Sequence, residues 1–232
     1  PSILNPLFAP VTTLPGVGPK LAPCFDRLVG EPGRPARVLD VLFHLPHAVL
    51  DRSARPKLYE APPDGLVTVE ARVEEHRPPP PDRPKSPWRV RVSDGTGDLT
   101  LVFFNAFPDH LKRLLPEGEV RVVSGAIEWF REEAQMPHPD HVVTREDFAK
   151  FPLLEPVYPL TAGLPSKTLS KAIHAALDRL PDLPEWQDSA WLTQQGWPAF
   201  APALRALHAP ENPAAVGLET PERQRLAYDE LL

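Results

Sequence analysis

Apolar and polar residues alternate at every second position between residues 66 and 143, and recur at every third or fourth position on either side. Val67, Val69, Ala71 and Val73 alternate with Thr68, Glu70 and Arg72, which predicts a half-buried strand. Trp88, Val90 and Val92 alternate with Arg89, Arg91 and Ser93 in the same way, as a second strand. Asp94-Gly95-Thr96-Gly97 is a tight, Gly-bearing hairpin connection. Leu99, Leu101 and Phe103 then alternate against Thr100, Val102 and Phe104, as a third strand. Residues 109–115 read as a short helix exposing Lys112 and Arg113. Residues 119–127 form a fourth strand, and 134–143 supply a fifth.

Five strands with a short helix between the third and fourth, over roughly 80 residues, is the order of an OB-fold barrel. The flanks are helical. Leu14-Pro15-Gly16-Val17-Gly18-Pro19-Lys20 places two glycines in a turn that opens a helix over 20–28, and a second helix over 38–43 ends at His44-Leu45-Pro46. Leu169, Ile173, Ala176, Leu177 and Leu180 fall at 3/4 spacing in a helix over 167–180, with Ser166 as its N-cap and Pro181 and Pro184 closing it. Residues 186–209 read as one or two amphipathic helices carrying Trp186, Trp191 and Trp197, which are expected to pack the C-terminal helices against the barrel or a further domain. The last helix, 221–232, lacks a C-cap, so the native chain is expected to continue. The expected class is α+β: a five-stranded antiparallel OB-fold barrel at 63–148, a helical segment at 1–62 with a helix-hairpin-helix-like turn, and a helical connector at 149–232.

If Leu99, Leu101 and Phe103 face the core, Phe104 lies on the outer side, and Arg89 and Arg91 line the outer face of the neighbouring strand. Aromatics and arginines sharing one face of a small sheet suit stacking of bases and holding of phosphates. The Pro-rich connection 78–87 cannot pair within a sheet and presents Arg83 and Lys85 from an exposed loop. Lys20 follows a Gly turn whose amides, with the helix N-terminus, can meet a phosphate. Each has a plainer reading: Phe104 as a barrel-end core residue under the 109–115 helix, the arginines as a solvated strand face, and the Gly turn as a helical corner.

A net charge of −6 excludes a protein that coats nucleic acid indiscriminately and requires any such site to be a local basic patch. Thirty-three prolines interrupt long helices, and a single cysteine, Cys24, excludes a disulfide framework. No run approaches the ~18 apolar residues of a membrane span, and no signal-peptide pattern opens the chain, so a soluble intracellular protein with no membrane partner is expected. His138-Pro139-Asp140-His141 lacks a thiolate and straddles a proline, so no metal site is expected there. Asp94 reads as a turn residue bonding its own backbone. No nucleophile–base pair stands out, and no G-x-x-x-x-G-K-[ST] loop occurs: the run 163–168 ends similarly but lacks the second glycine, and reads as a helix start.

Seven stretches occur in one order: LPGVGPK (14–20), VLDVLFHLPHAVLDR (38–52), RVRVSDGTGDLTLVFFNAF (89–107), VRVVSGAIE (120–128), MPHPDHV (136–142), PVYPLTAGLPSKTLSKAI (156–173) and RQRLAYDELL (223–232). Together they resemble the N-terminal part of the RecG family of bacterial ATP-dependent branched-DNA helicases. The resemblance implies a monomeric motor that regresses stalled forks and processes Holliday junctions and R-loops, in which the OB-fold is the wedge that splits strands. It places base stacking at Phe104 and Phe107, with Pro108 at the alternative aromatic spacing. Arg89, Arg91, Arg83, Lys85 and Lys20 are the expected phosphate contacts. The motor, with its ATP and Mg²⁺, would follow residue 232. This chain alone is expected to need no cofactor and to hydrolyse no ATP. Its partners would be branched DNA and the RNA–DNA hybrid of R-loops, in the bacterial cytoplasm at the nucleoid, and an exposed apolar face would favour artificial dimerisation. The competing expectation is an OB-fold module that binds single-stranded nucleic acid or a protein without junction specificity.

Overall fold

The computed structural model describes residues 2–130 and 133–231. Helices α1 (Asn5–Phe8), α2 (Ala22–Val29) and α3 (Val38–Leu42) precede the short strand β1 (Ala48–Asp51). The barrel follows as β2 (Gly65–Arg77), β3 (Trp88–Ser93), β4 (Asp98–Phe103), helix α4 (Pro108–Leu114), β5 (Val120–Phe130), β6 (Glu133–Pro137) and β7 (His141–Val143). Then come α5 (Arg145–Phe148), β8 (Leu154–Val157), α6 (Ser166–Leu177), α7 (Ser189–Gln195), α8 (Phe200–His208) and α9 (Pro221–Glu230). Two units result: residues 51–153, and residues 1–50 together with 154–232.

In the first unit β2 pairs with both β3 and β5, and β3 pairs with β4. β6 bridges β5 and β4 and closes the barrel. The alternating pattern has a direct structural counterpart. Trp88, Val90 and Val92 stand opposite Phe103, Leu101 and Leu99, and the valines and leucines are fully buried. They meet Val69, Val73, Val123 and Met136 in one core. Helix α4, opened by Pro108 at its first turn, contributes Leu111 and adjoining Leu115 to the same core.

The expectation of a purely antiparallel barrel is corrected at one seam: β4 and β6 run parallel. Strands that alternate in direction bring the third and fifth back with the same sense, so an odd-numbered closure must contain one parallel pair. The expected single strand over 134–143 is also two pieces. Pro139 has no N–H to give a ladder, and His138 before it adopts a left-handed φ of 44°, so β6 stops at Pro137 and β7 restarts at His141. This crossing piece lies against Gly125 of β5. A Cβ there would stand 2.9 Å from Met136 Sδ and 3.2 Å from the Pro139 Cα.

In the second unit α3, α6 and α8 share one core through Val41, Leu42, Leu169, Ile173, Leu204 and Leu207, joined by Phe25 of α2. β1 pairs with β8. Ser166 is the first helical residue of α6 rather than its cap. Pro165, in an extended conformation, occupies the cap position and leaves Ser166 no cap bond to make. The tryptophans pack the C-terminal elements onto one another: Trp186 lies 5.0 Å from Phe200, and Trp197 lies 5.2 Å from Tyr228 of α9. Beneath them Arg225 is fully buried, paired with Glu185 at 2.8 Å and Asp229 at 2.7 Å.

Candidate nucleic-acid interface

The β3–β4 hairpin is fixed at both ends. At the turn the Asp94 carboxylate accepts from the Thr96 N–H and hydroxyl at 2.8 and 2.6 Å, from the Gly97 N–H at 3.2 Å and from the Leu58 N–H at 2.9 Å. Burial pushes its pKa up, but those hydrogen bonds outweigh burial and hold the carboxyl below its ordinary value. Gly95, at φ 82°, supplies the left-handed residue of the turn.

At the other end of β4 the chain turns outward. Asn105 adopts φ 54°, and the rings on either side of it are exposed: Phe104 by 49% and Phe107 by 78%. The backbone beneath these rings is held. The Phe107 carbonyl accepts the Leu111 N–H at 2.9 Å, which anchors it to α4. The Phe104 N–H donates to His138 Nε2 at 3.3 Å, and the two rings stand 5.5 Å apart at 32°. His138 also meets Phe103 edge-on at 6.4 Å and donates its own N–H to the Val102 carbonyl at 2.8 Å. Two aromatic rings thus stand exposed on a rigid base.

The basic residues differ in how free their charge is. Arg89 faces Arg77 on β2 and Val102 on β4, is half-buried, and has no carboxylate partner among the described residues. Arg91 faces Glu75 and Thr100 and is already countered by Glu75 at 3.9 Å and Asp98 at 3.5 Å. Glu75 also pairs with Arg77 at 2.9 Å, and that guanidinium holds the carboxyl below the usual carboxylate range. Arg83 is exposed and lies 3.6 Å from Asp82; Lys85 is exposed. Their loop enters β3 at Trp88, which pairs with Phe103, so it reaches the barrel at the end where Phe104 emerges. Lys20 is exposed in the helical unit, two residues before α2, and of the two glycines preceding it only Gly16 has a positive φ.

Two features had no signal in the alternation. His138 meets Phe104 across 34 residues of chain. Trp129 and Phe130, at the end of β5, are 57% and 53% exposed, and Trp129 borders a groove of about 300 Å³. The other polar residues of the 138–141 run are engaged: Asp140 pairs with Arg52 at 3.2 Å, and the His141 ring packs edge-on against Phe151 at 4.3 Å. Among the described residues no three His, Cys, Asp or Glu side chains gather as a metal site, and no helix is long and apolar enough to cross a membrane.

The family described as an OB-fold nucleic acid binding domain matches residues 67–142, the span from β2 to β7. The whole chain extends the match. It is 30% identical over 234 residues to the ATP-dependent DNA helicase RecG of Pasteurella multocida, and 32% identical over 230 residues to that of Escherichia coli K12. The chain is similar to part of RecG. Each alignment covers 96% of this chain and 32% of the relative, so the chain spans about a third of the length of these helicases. A solved structure of RecG bound to a three-way DNA junction shares the fold, with a TM-score of 0.74 at 22% identity, over 97% of this chain and 30% of the other. The RecG resemblance therefore includes the helical unit as well as the barrel.

Proposed function

We propose that the barrel is the strand-separating wedge of a RecG-type helicase, binding branched DNA at replication forks and Holliday junctions in repair and recombination. The observation that carries this reading is the pair of exposed rings, Phe104 and Phe107, set three residues apart on a backbone braced by His138 and α4. A ring presented on a rigid base can replace a base's stacking partner at a branch point, worth about 1–3 kcal/mol per stacked base. Arg89 then offers its uncompensated charge to a phosphate of the arm laid on the β3–β4 face. Arg83 and Lys85 reach the duplex side from their loop, and Arg91 contributes less because Glu75 and Asp98 already counter it. Lys20, on the helical unit, would meet a further phosphate.

The ATP- and Mg²⁺-driven motor of the whole protein lies outside this reading of the chain's own residues. Lys167 and Thr168 belong to the first turn of α6, with no second glycine and no loop to cradle phosphates, so neither ATP nor Mg²⁺ fits there. R-loops would be bound through the same branch geometry. The testing experiment is a competition titration of the chain against a three-way fork, a linear duplex and a single strand, at two salt concentrations. The wedge reading expects the fork to bind tightest at both. Equal binding of fork and single strand would favour a general OB-fold module instead.

A further inference from the structure

The groove beside Trp129 lies away from the wedge tip. Its indole flanks a depression of about 300 Å³ whose remaining walls include Arg77, Arg91, Asp98, Thr100 and Glu133. The register brings these strands side by side: Trp129 pairs with Ala134, the neighbouring Gln135 pairs with Thr100, and Thr100 stands opposite Arg91, which faces Glu75. The chemistry of the walls selects the ligand. Both guanidinium groups are tied to carboxylates, Arg77 to Glu75 and Arg91 to Glu75 and Asp98, and Glu133 adds another negative charge. Such a groove attracts phosphate only weakly. It offers an aromatic wall together with donors on Arg77, Arg91 and Thr100 and acceptors on Asp98, Thr100 and Glu133, which is what an unpaired nucleobase requires.

The position also fits a path. Phe104 and Asp98 mark opposite ends of β4, about 20 Å apart at the usual rise of a strand. A single strand leaving the wedge and lying on the outer face of β3 and β4 passes Arg89, the arginine with no carboxylate partner among the described residues, before reaching Trp129. We infer that Trp129 is a stacking seat for an unpaired base of the strand that has passed the wedge, with the base edge read by the polar walls of the groove and the backbone held at Arg89. The direction from which the strand arrives rests on the wedge reading; the seat itself needs only single-stranded DNA.

The test is a fluorescence anisotropy titration of the 232-residue chain with a mixed-base single strand of about ten nucleotides, within the site size of an OB-fold, and with the same strand made abasic. Wild type should bind the base-bearing strand about tenfold more tightly, as expected for one stacked base. With the wedge rings removed (Phe104→Ala and Phe107→Ala), adding Trp129→Ala should make the chain bind both strands alike, whereas adding Trp129→Phe should keep most of the remaining preference. Because Trp129 is largely exposed, thermal melts of both variants should overlay the Phe104→Ala/Phe107→Ala protein, which separates lost stacking from lost folding. A wild type that does not distinguish the two strands, or a Trp129→Ala substitution that leaves the preference of the Phe104→Ala/Phe107→Ala protein unchanged, overturns the seat. The wedge is read separately, by fork-over-duplex preference in Phe104→Ala, so either reading can fail while the other stands.

Discussion

The Phe104 backbone N–H donates to Nε2 of His138, and the His138 ring lies 5.5 Å from the Phe104 ring. One imidazole thus holds both the main chain and the side chain of the exposed aromatic, from a backbone position with a left-handed φ of 44°. A hydrogen bond and an aromatic contact of this kind are each worth about 0.5–1.5 kcal/mol. His138→Ala should therefore weaken fork binding several-fold by freeing Phe104. The two substitutions should be strongly non-additive, with His138→Ala costing little once Phe104 is already alanine, as a double-mutant cycle of fork affinities would read. Additive losses would mean that His138 acts independently of Phe104.

Arg225 should be the most sensitive charged position of the helical unit. It is fully buried, bonded to Glu185, Asp229 and the Pro198 carbonyl, and lies 5.4 Å from the Trp186 ring. Arg225→Ala would leave Glu185 and the buried Asp229 without their counter-charge. The expected loss is about 3–5 kcal/mol in urea unfolding of that unit. A loss below about 1 kcal/mol would show that water reaches these carboxylates.

His208 gives the chain a defined acid weakness. Its ring is buried between the Tyr158 hydroxyl at Nδ1, 2.9 Å away, and the Leu42 carbonyl at Nε2, 2.8 Å away. Burial pushes its pKa down to about 4 from 6.5; the Leu42 bond opposes this, and His174, His44 and Arg223 add to the depression. The unfolded chain therefore takes up this proton at higher pH than the folded chain does. The stabilisation is fully present above pH 6.5 and drains away as pH falls toward about 4, amounting to about 3 kcal/mol across that window. Melting temperature should fall over this range, and His208→Gln should flatten the fall. A variant whose pH profile parallels the wild type would contradict the assignment.

The barrel was legible because its inner positions are local. Trp88, Val90, Val92, Leu99 and Leu101 alternate within two short runs, and Asp94-Gly95-Thr96-Gly97 names its own turn. The exposure of Phe104 follows from the same parity. What was not legible depends on contacts between distant stretches. The split of the last strand follows from the crossing at Gly125, the bracing of Phe104 from a histidine 34 residues away, and the single helical core from the meeting of Leu42 with Ile173. Trp129 escaped for another reason: an exposed aromatic at a strand end breaks no periodic pattern, and only its surroundings give it meaning.

Arg89 should carry the salt dependence of the β3–β4 face. Removing one phosphate contact lowers the slope of log K against log salt by about 1. Arg89→Ala should show that change across fork substrates of any sequence, while Arg91→Ala, whose charge is already countered by Glu75 and Asp98, should show less. Equal slopes for the two variants would mean that the ion pairs of Arg91 open on binding.

If the barrel is a wedge, Phe104 splits the branch. The most direct measurement is the anisotropy of a labelled three-way fork and of a matched linear duplex, titrated with wild type and with Phe104→Ala. The wedge predicts tighter fork binding by wild type, reduced about five- to a hundredfold in Phe104→Ala, with duplex binding unchanged. Fork and duplex bound equally, and unaffected by the substitution, would contradict it.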